Sequence, residues 1–379
     1  MARLDSFCSL NMGQSPDSSF YNEERRGIPF FQGNADFGEI NPTARVWCDA
    51  PTKIAHKGDI LISVRAPIGA LNIANTECCI GRGLAALTVN ETVCEKNYLW
   101  YAIASKVEEL NSKGTGSTFK AISKTVLAET DIPLPNIEKQ KQIVSELDGI
   151  THLISNHKEL LDTYDEMIIS RFIELFGDPQ TNPMGWHTLT MKEASIRLSD
   201  GPFGSNLKSE HYTDSGVRVV RLGNIGVGKF NDKDQSYISL EHYETIKKYT
   251  CRTGDVVIAT LGDPNLRACI VPKHIEYAVN KSDCVHYIPK PDILNNIFVC
   301  QYINCPQTLL LAAGMVHGQT RARISSGQLA ELPIYLPPIE LQEQFADFVM
   351  QVDDAKKAVQ ESLDNLEILK KSLMQKYFG

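Results

Sequence analysis

The chain has 379 residues, a net charge of −8, and is 42% hydrophobic and 22% charged. That is the balance of a soluble globular protein, and no run of about 18 apolar residues offers a membrane span. The ten cysteines include no C-x-x-C pair, and the opening Met1-Ala2-Arg3-Leu4-Asp5 lacks the apolar core of a signal peptide, so reduced thiols in a cytoplasm are expected rather than disulfides or a metal site.

Taken whole, the acidity argues against a nucleic-acid binder. Its distribution changes that argument. Net charge is −1 over residues 1–130, −6 over 131–180, +3 over 181–330 and −4 over 331–379. The negative charge is concentrated in two segments, and the remainder is neutral or mildly basic, able to carry a basic face.

In chain order, Gly27-Ile28-Pro29-Phe30-Phe31-Gln32-Gly33 reads as a strand and turn. Ile60-Leu61-Ile62-Ser63-Val64 is a strand candidate after a Gly58-Asp59 turn. Next comes a polar loop, Lys113-Gly114-Thr115-Gly116-Ser117-Thr118-Phe119-Lys120, before Ile122-Ser123. The same frame then returns. Gly216 to Asn224 resembles the segment at Gly27, and Val256-Val257-Ile258-Ala259-Thr260 follows Gly254-Asp255. A second polar loop, His317-Gly318-Gln319-Thr320-Arg321-Ala322-Arg323, precedes Ile324-Ser325.

The clearest duplication lies 202 residues apart. Leu127, Ala128, Glu129, Ile132, Leu134, Pro135, Ile137, Glu138, Gln140 and Gln142 are identical to Leu329, Ala330, Glu331, Ile334, Leu336, Pro337, Ile339, Glu340, Gln342 and Gln344. A repeat of this length decides architecture before any local pattern does. After each copy the apolar residues fall on a heptad seam. The first seam is Ile143, Leu147, Ile150, Ile154, Leu161, Tyr164, Ile168 and Leu175, with His157 and Arg171 filling the gaps. The second is Phe345, Val349, Val352, Val359, Leu363, Leu366, Leu373 and Tyr377, broken by Lys356 and Lys370. Phe176-Gly177 and Phe378-Gly379 place glycine as a helix stop, and Asp178-Pro179 closes the first helix.

Each helix should span about 35–40 residues, roughly 55 Å. One amphipathic helix of that length cannot bury its seam alone, so the two are expected to pair antiparallel. The expected fold class is α+β: two mixed, strand-rich domains joined by two long antiparallel helices, with pseudo-two-fold repetition in a dumbbell. The expected boundaries are 1–136 and 179–338 for the domains and 137–178 and 339–379 for the helices.

These features together resemble the specificity subunit of a type I restriction–modification system, over essentially the whole chain. The resemblance rests on the twice-occurring Leu-Pro turn before Ile-x-x-Gln-x-Gln and a long helix. It also rests on Met12-Gly13-Gln14-Ser15-Pro16, on Lys57 to Gly69, and on Phe172-Ile173-Glu174-Leu175-Phe176-Gly177-Asp178-Pro179. It implies that each domain is a target-recognition domain reading one half of a bipartite double-stranded DNA target. The helices would set the spacing and dock two modification (adenine methyltransferase) subunits, which restriction subunits join. It implies no catalysis in this chain, with S-adenosylmethionine, ATP and Mg bound only by partners. The second domain departs from the first where Asp263-Pro264-Asn265 stands for Ala66-Pro67-Ile68.

The residues independently lack the motifs of catalysis. Asn182-Pro183-Met184-Gly185 misses the second proline and the aromatic residue of an amino-methyltransferase loop. There is no phosphate loop, and Gly114-Thr115-Gly116 fails G-x-G-x-x-G at Phe119. The histidines are scattered, and His157 on the seam reads as a packing position. The rival reading is a non-catalytic, protein-binding adaptor with duplicated domains; a self-contained restriction–modification fusion is weaker still.

Base reading needs forked donors and acceptors on exposed loops, and phosphate anchoring needs cations and hydroxyls. The DNA-contact candidates in the first half are Gln14, Ser15, Arg25, Arg26, Gln32, Lys113, Ser117, Thr118 and Lys120. In the second half they are Ser205, Asn206, Lys208, Arg218, Arg221, Asn224, Gln319, Thr320, Arg321 and Arg323. Strand alternation sets Arg218 opposite Arg221. For Arg65 and Arg82 a structural role is the alternative.

Overall fold

The computed structural model describes residues 1–116, 120–314 and 323–379. It divides into two compact units: Met1–Lys158 with Glu361–Gly379, and Glu159–Gln360. Both are α+β.

In the first unit a four-stranded antiparallel sheet runs in the order Cys8–Met12, Leu84–Val89, Ile60–Ser63, Leu71–Ile73. A five-stranded sheet runs Tyr21–Asn22, Val46–Cys48, Ile28–Phe31, Cys78–Ile80, Ile54–Ala55, and its one parallel pair is Ile28–Phe31 beside Cys78–Ile80. The second unit repeats this order. Its four-stranded sheet is Ser195–Ser199, Cys284–Pro289, Val256–Ala259, Arg267–Ile270. Its five-stranded sheet is Tyr212–Thr213, Ser236–Ile238, Val217–Val220, Tyr277–Asn280, Thr250–Arg252, with the parallel pair again third and fourth. What differs is a connection: the helix Leu240–Ile246 stands in the second unit where residues 49–53 suffice in the first.

The strands expected over 60–64 and 256–260 after the Gly-Asp turns form as Ile60–Ser63 and Val256–Ala259, and every residue of both is buried. A strand covered on both faces reads as an unbroken apolar run rather than an alternation. Ile60 and Ile62 enter one core cluster and Leu61 another. Val256 and Ile258 likewise separate from Val257 and Ala259.

The repeated motif closes each domain on its own beginning. Asp131–Ile132 pairs with Ala2–Arg3, and Pro333–Leu336 pairs with His187–Thr190. The long helices follow, Ile137–Phe176 and Ile339–Phe378. The Asn136 side chain caps the first by accepting from the Lys139 amide at 2.9 Å. All the seam positions, the four polar breaks included, are buried or half-buried. The first helix stops at Gly177, which has φ +79° and where a Cβ would stand 2.6 Å from Pro183.

Within the first unit the two helix segments run antiparallel. Tyr377 donates to Glu146 at 2.6 Å, His157 meets Ser362 at 3.1 Å, and Lys158 pairs with Glu367 at 3.3 Å. In the second unit Phe172 packs on Phe345, and Lys356 pairs with Asp165. The helix ends complete the cores. Phe378 lies 5.1 Å from Tyr98 in the first unit, and Phe176 lies 4.8 Å from Phe298 in the second, ring centre to ring centre.

Gln140 and Gln342, identical in the repeat, are fully buried. Gln140 accepts from the Glu95 amide at 2.8 Å and donates to the carbonyls of Val93 and Pro135. Gln342 does the same with the Asn295 amide at 2.9 Å and the carbonyls of Ile293 and Pro337. Each amide thus ties the start of a long helix to the start of the short core helix, Lys96–Ser105 or Asn296–Asn304.

Candidate functional site

Backbone hydrogen bonds in the first unit draw five separate segments into one knot. Gln14 donates from its amide to Ile80 O at 3.0 Å, and Gly81 to Phe31 O at 2.8 Å. Gly83 donates to Gln32 O at 3.1 Å, Val64 to Gly83 O at 2.9 Å, and Ala66 to Lys120 O at 3.0 Å. Ser15 Oγ accepts from the Arg82 amide at 3.2 Å. The backbones approach too closely for side chains. A Cβ on Gly13 would stand 2.2 Å from Gly81 O, and one on Gly83 would stand 2.5 Å from Gln32 O. The side chains that do leave the knot are polar. Gln14, Gln32, Arg65, Arg82 and Lys120 are exposed, and Ser15 is half-buried.

The structure therefore brings together Gln14, Ser15, Gln32 and Lys120 of the sequence candidates. It adds Arg65 and Arg82, whose guanidinium groups have no ion pair or hydrogen bond among the described residues. Arg25 and Arg26 belong elsewhere, in the turn at the other end of Ile28–Phe31 from Gln32. Arg25, at φ 62°, holds its guanidinium 5.5 Å from the Trp47 ring, and Arg26 pairs with Glu24 at 3.4 Å. Lys113 pairs with Glu109 at 2.6 Å along its helix. Ser117 and Thr118 lie outside the described residues.

The second unit repeats part of this knot with different side chains. Lys281 donates from its amide to Val220 O at 2.9 Å, Thr260 to Asp283 O at 3.1 Å, and Ile324 to Thr260 O at 3.1 Å. A Cβ on Gly201 would stand 2.2 Å from Asn280 O. Arg323, exposed, pairs with Asp283 at 2.6 Å. Arg221 pairs with Asp234 at 3.0 Å, and both it and Lys281 lie over the Tyr212 ring, at 5.9 and 5.5 Å. Ser205 and Asn206 are exposed on the short turn Gly204–Asn206, and Lys208 pairs with Glu210 at 3.4 Å. Gln319, Thr320 and Arg321 lie outside the described residues.

Two candidates are corrected. Asn224 is fully buried: it accepts from the Arg221 amide at 2.9 Å and donates to Asn231 O and Asp234 O, both at 2.8 Å. Arg218 is 7% exposed and donates to Asp232 at 2.5 Å and to Asp234 O at 2.9 Å. Their side chains hold the segment 231–236 in place. Nor do Arg218 and Arg221 diverge as strand alternation suggested, because Arg221 lies just past the strand end and both reach the carboxylates of that segment.

Sequence reading missed Arg267. Its Nε donates to Ile225 O at 2.6 Å, Nη1 to Leu261 O at 3.0 Å and Pro264 O at 2.8 Å, and Nη2 to Leu222 O at 3.1 Å. One side chain thus fastens the turn at Leu222–Asn224 to the turn at 261–264. The first unit holds its corresponding turn with Ser63, whose Oγ is 2.8 Å from both Arg65 O and Pro67 O. Both turns contain a cis proline, Pro67 and Pro264. No signal in the sequence separates a clamp of this kind from any other arginine.

Among the described residues no group of three or more His, Cys, Asp or Glu is placed to hold a metal ion. Nor, among these residues, is any helix long and apolar enough to cross a membrane. What both knots present is a hydrogen-bonded backbone edge with polar and cationic side chains, the residue types that contact phosphates and base edges.

A family model described as the type I restriction modification DNA specificity domain matches residues 1–163 and 208–367. A relative from Methanocaldococcus jannaschii, named as the MjaX specificity subunit of a type I restriction enzyme, is 43% identical over 150 residues, which is 40% of this chain and 35% of that one. The MjaVIII type I restriction enzyme specificity subunit of the same organism is 21% identical over 307 residues, 77% of this chain and 71% of that one. The alignment thus spans about a third of the first relative's length and over two thirds of the second's. Among solved structures, the type I restriction–modification S subunit from M. genitalium aligns over 100% of this chain and 95% of its own, with a TM-score of 0.58 at 17% identity, a likeness of fold.

Proposed function

Because this chain belongs to the type I restriction modification DNA specificity family, we propose that it is the DNA-reading, non-catalytic subunit of a type I restriction–modification complex. Each strand-rich domain reads one half of a bipartite target in double-stranded DNA. The two long helices set the separation of the half-sites and dock two modification subunits, which restriction subunits join in the cytoplasm. S-adenosylmethionine, ATP and Mg belong to those partners.

The observation that carries this reading is the knot in each unit. Two domains with the same strand order place differently chosen polar side chains on the same rigid edge. A shared frame with divergent side chains is what two readers of two different sequences require. The charge distribution agrees with it: the helices carry most of the excess acid and are the part least suited to phosphate.

An acidic chain by itself should hold DNA weakly, since affinity for duplex comes largely from phosphate neutralisation and falls steeply with salt. Binding by the isolated subunit is expected to be weak and to vanish at moderate salt. Adding modification subunits should yield tight, sequence-selective binding from a randomised duplex library. A complex that retains all duplexes equally, or a chain that selects peptides instead, would contradict the reading and favour the protein-binding adaptor.

A further inference from the structure

Arg82 occupies a special place in the first unit's knot. It sits in a tight turn closed by the Leu84 amide donating to Gly81 O at 3.0 Å. Its own amide is held by Ser15, and its neighbours' amides are held by Phe31 and Gln32. Glycines flank it on both sides. A Cβ on Gly81 would stand 2.9 Å from the Gln32 Cα and against the Phe30 ring, and one on Gly83 would meet Gln32 O. Arg82 is therefore the one side chain that this turn can project. It is exposed, and its guanidinium has no ion pair, hydrogen bond or ring contact among the described residues.

That combination is uncommon for an arginine that serves structure. Arg267, which does, spends its donors on carbonyl oxygens. The equivalent turn of the second unit, closed by the Cys284 amide on Lys281 O at 3.1 Å, carries Ser282 in place of Arg82. Its Asp283 takes up Arg323. Among the described residues the same frame thus offers a planar fork with no hydrogen bond or ion pair in one unit and a hydroxyl beside a neutralised arginine in the other.

We propose that Arg82 is a specificity-determining residue that reads a guanine in the half-site bound by the first unit. The assignment rests on the DNA-reading role proposed above. A guanidinium fork matches the O6 and N7 acceptors of guanine in the major groove. A backbone fixed by its neighbours keeps the base of the fork in register, so that only the side chain's own rotamers are ordered on binding.

The test is a genome-wide methylation map of cells expressing the full complex with the natural chain, with Arg82→Ala, or with Arg82→Lys. Lysine keeps the charge but not the planar fork. Both variants should lose discrimination at one guanine position of one half-site, by roughly ten- to a hundredfold. The other half-site should stay fully specified, which also reports that the chain is folded. Arg82→Gln carries the same expectation should alanine impair folding. If the motif is unchanged in both variants, and alanine only lowers methylation uniformly with a shallower salt dependence, Arg82 anchors phosphate and the assignment is overturned. A bipartite motif with no guanine in the affected half-site overturns it as well. A natural chain that gives no bipartite motif would count against the DNA-reading role itself, a result distinct from either.

Discussion

Gln140 accepts a hydrogen bond from the Glu95 amide at 2.8 Å, 45 positions back along the chain, while remaining fully buried. Gln342 holds the Asn295 amide in the same way. The pairing explains why glutamine recurs at this place in both copies. Its carboxamide supplies one acceptor and two donors, and the surroundings use all three.

Gln140→Ala should leave a buried amide and two carbonyls without partners, at a cost of about 1–3 kcal/mol. Chemical denaturation should show the loss, with Gln342→Ala giving a similar one. A stability unchanged by either substitution would mean that water replaces the carboxamide and that the clamp is dispensable.

Arg267→Met keeps an unbranched apolar stem, shorter by the guanidinium end, and removes all the donors. Hydrogen exchange should rise in residues 222–225 and 261–264 while the core strand Val256–Ala259 stays protected. In the assembled complex, base discrimination should relax at the half-site read by the second unit alone. Equal loss at both half-sites, or unchanged exchange in the two turns, would refute the clamp.

The thiols provide a chemical check on the cores. All ten cysteines are free and buried. Burial pushes Cys8, Cys78 and Cys94 in the first unit up to about 12, as it does Cys251 and Cys300 in the second. The thiolate is the reactive form, so the native protein should resist a thiol reagent at neutral pH and expose ten reactive groups once denatured. Rapid native labelling of several cysteines would contradict the packing.

Inserting four residues, about one helical turn, into Ile137–Phe176 should change the length of the unread gap in the target. An unchanged gap in a methylation map would remove the helices from any role in spacing.

The helices were the most legible part of the sequence. A proline-free heptad pattern is local, and the glycine stop at Gly177 lies beside it. The strands after Gly58-Asp59 and Gly254-Asp255 were legible for the same reason. The candidate site was harder to read because the knot joins residues 14, 32, 65, 82 and 120, whose proximity is set by strand pairing and not by spacing. Sequence also cannot distinguish an arginine in water from one spent on a carboxylate. Arg218 and Asn224 read as contacts in the sequence and are buried supports in the fold, while Arg82, for which the sequence leaves a structural role open, is exposed and has no hydrogen bond or ion pair from its guanidinium among the described residues. Composition shows that a polar residue is present; only the fold shows what it has already bonded.

The most direct test of two domains reading two half-sites is the methylation map of a host expressing this chain with its modification subunits. One motif made of two specified segments separated by an unread gap of constant length is expected. A continuous motif, or methylation without sequence preference, would contradict it.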